Sequence, residues 1–254
     1  MPLRDVIARG RALQLGLLLL AAAQLLGCAQ FAAISETMFM MTPQEEVQLG
    51  QKLKGEVAKQ QRFLTNVEIN NYIGQLGQKL WLVSPHGDIA PIQPEFYVID
   101  DEAINAFAIP GGAVYIQTGA IRAAADEAEL AGVMAHELGH VVRRHGARAV
   151  SHESGVNVVQ QILLGGEQGE VTQMVSGLLT QVVNQKYSRE DENQADEIAV
   201  GTLNRAGFDP EGLRTFFATL KQRYGEQGSG AVATLFASHP PTEERMNHVA
   251  DLMP

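Results

Sequence analysis

The sequence predicts an α+β fold, mostly helical, with a small β-sheet beside one helix. Three observations carry this. Stretches with apolar residues at helical spacing and recognisable caps dominate the chain from residue 43 onward. Alternating and hairpin-like stretches are confined to 95–117. The 254 residues, 45% hydrophobic and 19% charged, are enough for a real core in one or two domains. A net charge of −10 argues against nucleic acid, which calls for a clustered basic surface. No unit of 20–50 residues recurs, so solenoid arrays are absent.

Thr42-Pro43-Gln44-Glu45 reads as a capping box with proline in the first turn, opening a helix to about Gln60. A second helix covers roughly 66–83, with Val67, Ile69, Tyr72, Ile73, Leu76 and Leu80 as its apolar face. Residues 85–94 form a loop, and Glu95–Asp100 alternate as a strand. Residues 105–119 read as two short strands around Pro110-Gly111-Gly112. Asp126 and Glu129 open a helix ending near Gly146. Two apolar helical pieces follow within 155–185, split by the glycine-rich 165–170, a mobile flap or a plain connection. Further helices span 188–207, closed by Gly207, and about 210–224. After a flexible loop at 225–230, a last helix runs from Thr242 to about Leu252.

The first 28 residues stand apart. Arg4, Arg9 and Arg11 precede an apolar stretch, 12–26, too short and too interrupted by Gln14 and Gln24 for a comfortable membrane span. It ends in Leu-Leu-Gly-Cys at 25–28, which resembles a bacterial lipobox. That divides the chain into a signal peptide (1–27), a lipidated tether (28–42) and a catalytic domain (43–254), with acyl chains on Cys28 as the membrane anchor. Each buried CH₂ contributes about 0.8 kcal/mol to such anchoring. The rule for these signals places a chain with Ala29 after the cysteine at the outer membrane. The alternatives are an ordinary signal peptide or an uncleaved anchor, with Cys28 incidental. Cys28 is the single cysteine, so no intrachain disulfide forms.

The chemistry is concentrated in His136-Glu137-Leu138-Gly139-His140. On a helix, positions four apart share a face, so His136 and His140 can offer two imidazoles to one metal ion, zinc being the first choice. Glu137 is rotated away from that face and suits a general base acting on a metal-held water. With 7 histidines, chance yields this pattern in about one such chain in a hundred. Gly139, a poor mid-helix residue, signals close packing. A third ligand is needed. His145, five residues past His140, points elsewhere, solvated or behind a ligand, and His152 lies in an uncertain loop. The acidic run 190–196 offers better geometry: Glu192 on the metal, and Asp196 one turn on, accepting the far N–H of a ligating histidine. The bland reading of that run is a solvated acidic face.

These motifs resemble the HtpX/BepA/LoiP metalloprotease family, which also contains the CAAX prenyl endopeptidases. The resemblance rests on residues 136–140 and 192–196, with Asn105–Gly112 and Ser238–Arg245 in support, and spans about 43–252. It implies a gluzincin (zincin-like) fold, one Zn²⁺ on His136, His140 and Glu192, Glu137 as general base and Asp196 orienting a ligand histidine. It further implies that His239 lies near the metal, polarising the scissile carbonyl or blocking the site, and that Arg245 pairs with the carboxylates. Ala113, Val114, Tyr115 and Ile116 would form the edge strand that an extended substrate joins. The short, lipidated layout is nearest to LoiP-like members.

The reading that follows is a zinc endopeptidase tethered to the outer membrane, facing the periplasm and acting on extended or unfolded envelope proteins in quality control, with the outer-membrane assembly machinery as a candidate partner. The alternative is a chaperone-like binding protein whose zinc is structural or whose cleft is plugged by 153–170 or His239. Imidazole and carboxylate ligands also suit other divalent metals.

Overall fold

The computed structural model describes residues 40–87, 89–165, 168–225 and 230–253. Cys28, the leader and nearly all of the tether lie outside them, as do 166–167 of the glycine-rich break and 226–229 of the 225–230 loop. As expected, the fold is mostly helical with one small sheet. No helix among the described residues is long and apolar enough to cross a membrane.

The Thr42–Glu45 capping box opens α1 (Pro43–Gln60), and Asn66 caps α2 (Val67–Val83). Ile73, Leu76, Leu80 and Trp81 are the buried face of α2; Val67 and Tyr72, expected there, are exposed. Then come β1 (Glu95–Ile99), β2 (Ala106–Ala108), β3 (Ala113–Gln117) and a short α3 (Thr118–Ala123). Asp126 caps α4 (Glu127–Val142), the helix bearing the paired histidines. α5 (His145–Glu153), α6 (Val156–Leu164) and α7 (Gln168–Val183) follow. A second capping box, Ser188 with Asp191, opens α8 (Arg189–Ala206), and Gly207 closes it at φ 78°. α9 (Glu211–Tyr224), α10 (Ala233–Ser238) and α11 (Glu243–Asp251) complete the chain.

The sheet divides the core. Val98, Ala106, Val114 and Ile116 pack with α4, α8 and α9, whereas Ile99, Phe107, Ala113 and Tyr115 pack with α1 and α5–α7. This is the period-2 alternation of strands buried on both faces.

The strand order is β1-β3-β2, with β1 parallel and β2 antiparallel to β3. Ala113–Ile116 are therefore not an edge strand, contrary to the expectation from the motif. Alternation reports which faces are buried, not which neighbours flank a strand. β2, joined to β3 through the Pro110–Gly112 turn, pairs with one side of β3, and β1 pairs with the other. The strand beside α4 that keeps an unpaired side is β2. Ile109 N–H donates to Ala113 and Gln117 N–H to Asn105, so Ala106 and Ala108 turn their backbone groups away from β3.

Candidate metal centre

Every residue from Glu129 to Val141 of α4 is buried, so His136, Glu137 and His140 sit inside the protein. Gly139 makes this arrangement close: a Cβ there would come within 2.6 Å of the Ala195 carbonyl oxygen on α8. The glycine lets α8 approach backbone to backbone, which brings Glu192 and Asp196 against the histidines.

His136, His140, Glu192 and His239 each offer one ligand atom, and all four atoms lie within 4.8 Å of one another. His136 Nε2 is 3.0 Å from His140 Nε2, 3.2 Å from His239 Nδ1 and 3.6 Å from Glu192 Oε2. Glu192 Oε1 is 3.4 Å from His140 Nε2 and 2.9 Å from His239 Nδ1. A tetrahedron of bonds of about 2.05 Å has edges of about 3.3 Å, so the spacing fits a single zinc-sized ion. The proton inventory agrees. His136 Nδ1 lies 2.8 Å from Asp196 Oδ1 and must donate, leaving Nε2 as a bare lone pair aimed at the group.

Asp196 is fully buried and receives Arg245 twice, Nε at 2.6 Å and Nη2 at 2.8 Å, while Arg245 Nη1 reaches Glu192 Oε2 at 2.6 Å. Thr242 caps α11 and sets the position of Arg245. Burial pushes the imidazoles of His136 and His140 down to about 3 and about 4, so both stay neutral and ready to ligate. Burial raises Glu137 to about 7, the range of a general base. The Ala108 N–H on the open side of β2 faces this carboxylate. Although burial opposes it, His239 and then Arg245 hold Glu192 well below the usual range, and Glu192 raises His239.

The described residues thus bring together His136, Glu137, His140, Glu192, Asp196, His239 and Arg245. His152 is exposed on α5, and neither it nor Glu153 or Glu170 belongs to the ligand group. Of the two expectations for His145, the solvated one is corrected and the one behind a ligand holds. α4 does not run on to Gly146; it stops at Val142, and Arg144 turns the chain at φ 54°. Had the helix continued, five residues at 100° each would have carried His145 away from His140. Instead Arg144 donates to Glu46 Oε2 and the Met41 carbonyl, both at 2.6 Å, and holds the turn, so His145 is buried against His140. Tyr187 was also missed: its ring stacks on His140, centroids 4.1 Å apart and planes at 28°.

Comparison with known proteins bears on this geometry. The model of peptidase family M48 matches residues 70–253. The chain belongs to peptidase family M48. The chain is 30% identical over 218 residues to the putative β-barrel assembly-enhancing protease of Vibrio cholerae, covering 81% of this chain and 43% of that protein. It is 30% identical over 202 residues to the metalloprotease LoiP of Escherichia coli, covering 78% and 71%. To the mitochondrial metalloendopeptidase OMA1 of Schizosaccharomyces pombe it is 29% identical over 185 residues, covering 72% and 52%. This M48 chain therefore spans less than half the length of its V. cholerae relative. The family match covers α4, α8 and α11, the helices that supply Glu137, Glu192 and Arg245.

Proposed function

We infer that this chain is a zinc-dependent endopeptidase, held at the bacterial outer membrane by lipid on Cys28 and acting on extended segments of misfolded or misassembled envelope proteins. The observation that carries the reading is the convergence of four buried ligand atoms beside Glu137, which shares α4 with His136 and His140 and has its carboxyl raised to about 7. His136, His140 and Glu192 would hold the ion, which when bound polarises the scissile carbonyl and the attacking water. Glu137 takes a proton from that water and returns it to the leaving amine nitrogen. The outward backbone groups of Ala106 and Ala108 suit an extended peptide that adds to the open side of β2. A small open pocket lined by Tyr187, Pro240 and Thr242 adjoins Glu192.

His239 would take the fourth ligand position, which supports a closed resting form that substrate would open by displacing the imidazole. The same closure favours the second reading, a chaperone-like protein with a structural metal, because structural zinc sites use four protein ligands. Glu137→Gln decides between them. The variant is expected to keep its zinc and lose cleavage of casein, by 10²–10⁴-fold for a missing general base. Wild-type protein that binds zinc and casein without cutting would establish the second reading. The anchor is tested by Cys28→Ser, expected to move the protein from the membrane to the soluble envelope fraction.

A further inference from the structure

We propose that His145 is a positioning residue that fixes the tautomer and orientation of His140 and thereby sets the metal affinity of the site; this rests on the metal reading above. His140 turns Nε2 toward the other ligand atoms. An imidazole presenting an Nε2 lone pair carries its proton on Nδ1. His140 Nδ1 lies 2.8 Å from His145 Nδ1, and two nitrogens at that distance share one proton. His140 therefore donates and His145 accepts.

The remainder of the chain of contacts agrees. With Nδ1 accepting, the proton of His145 sits on Nε2, which faces Gln194 Oε1 at 3.3 Å and Asp191 Oδ1 at 3.5 Å. Gln194 is fixed with its oxygen toward His145, because its amide nitrogen donates to Glu190 Oε1 at 2.8 Å. Asp191 accepts only, and is held by Arg148 Nη2 at 2.6 Å and by Ser188 Oγ at 2.7 Å. The reverse assignment would set a bare His145 Nε2 against two oxygen acceptors. His145 also meets His140 edge-on, centroids 4.9 Å apart and planes at 73°, while Tyr187 covers a face of the same ring. The His140 ring is gripped from two directions.

The test uses the full chain labelled with ¹⁵N on the histidine imidazoles. At neutral pH, His145 is expected to show a protonated Nε2 and a bare Nδ1, with and without added zinc; a proton on Nδ1 overturns the proposal. Zinc affinity is then measured by chelator competition. His145→Phe keeps the ring and removes the acceptor, and is expected to weaken zinc binding about 10–100-fold. His145→Gln, which restores an acceptor, should recover most of that loss. Wild-type affinity in the Phe variant, or equal losses in both, overturns the proposal. If the Phe variant does not fold, the tautomer in the wild type decides. A wild type that binds no zinc defeats the metal reading, and the tautomer still decides His145.

Discussion

The two imidazoles of α4 are backed in different ways. His136 leans directly on Asp196, which is fully buried and closed off by Arg245. His140 reaches its carboxylate, Asp191, through an inserted histidine, and Asp191 is partly exposed and closed off by a partly exposed Arg148. Both carboxylates come from α8, one at its first turn and one in its interior. The short support is dry and carries full charge in a medium that punishes any unpaired ion. The long one ends at the surface, where water can replace a lost partner. The difference teaches that one helix–helix contact, made close by Gly139, orients both ligands but concentrates its energy on one of them.

The largest effect is expected from Asp196→Ala, which removes both hydrogen bonds that the buried Arg245 donates to Asp196 and leaves Glu192 as its carboxylate partner. A loss of about 3–5 kcal/mol is the usual cost of breaking such a pair, measured as the denaturant midpoint of the metal-free protein. Next is Arg245→Ala, which leaves Asp196 and Glu192 without their cation and should cost a similar but smaller amount, since His136 still donates to Asp196.

The third prediction concerns pH. His145 is pushed down to about 4 by burial, so between pH 6.5 and 4 the unfolded chain binds a proton there that the folded chain refuses. This group makes folded protein less stable as pH falls through that window, by up to about 1.4 kcal/mol per pH unit. In metal-free protein, the stability of His145→Phe relative to wild type should therefore rise as pH falls from 6.5 to 4. A relative stability independent of pH there would mean that His145 is not held neutral. Glu137, raised to about 7, has the opposite sign: its contribution is lost as pH rises from 4.5 to 7, and Glu137→Gln should remove that slope.

The smallest effect is expected from Arg148→Ala. The Arg148–Asp191 pair is 30% and 23% exposed, so its loss should change stability by no more than about 1 kcal/mol and leave zinc affinity close to that of wild type. A cost as large as that of Arg245→Ala would erase the contrast between the two supports.

Most of the helices were legible because their ends carry hydroxyl or carboxylate caps: Thr42 with Glu45, Asp126 with Glu129, Ser188 with Asp191 and Thr242 before Arg245. The paired histidines and the Glu192–Asp196 turn were legible because a helix converts spacing into a shared face. What spacing does not encode was missed. β3 is the middle strand because, besides its hairpin with β2, it comes back to pair in parallel with the earlier β1, a pairing with no local signal. The end of α4 was read four residues late because the turn at Arg144 is held by Glu46 and Met41, about a hundred positions away in sequence. The late end also left His145 open between solvent and a place behind a ligand, and Tyr187 carries no mark that distinguishes it from any tyrosine before a helix.

The most direct test of the central claim is an anomalous-scattering map at the zinc edge from crystals of zinc-loaded protein. One peak is expected per chain, about 2.0–2.2 Å from His136 Nε2, His140 Nε2 and a Glu192 carboxylate oxygen. No peak there, or a peak held without either α4 histidine, would contradict the account.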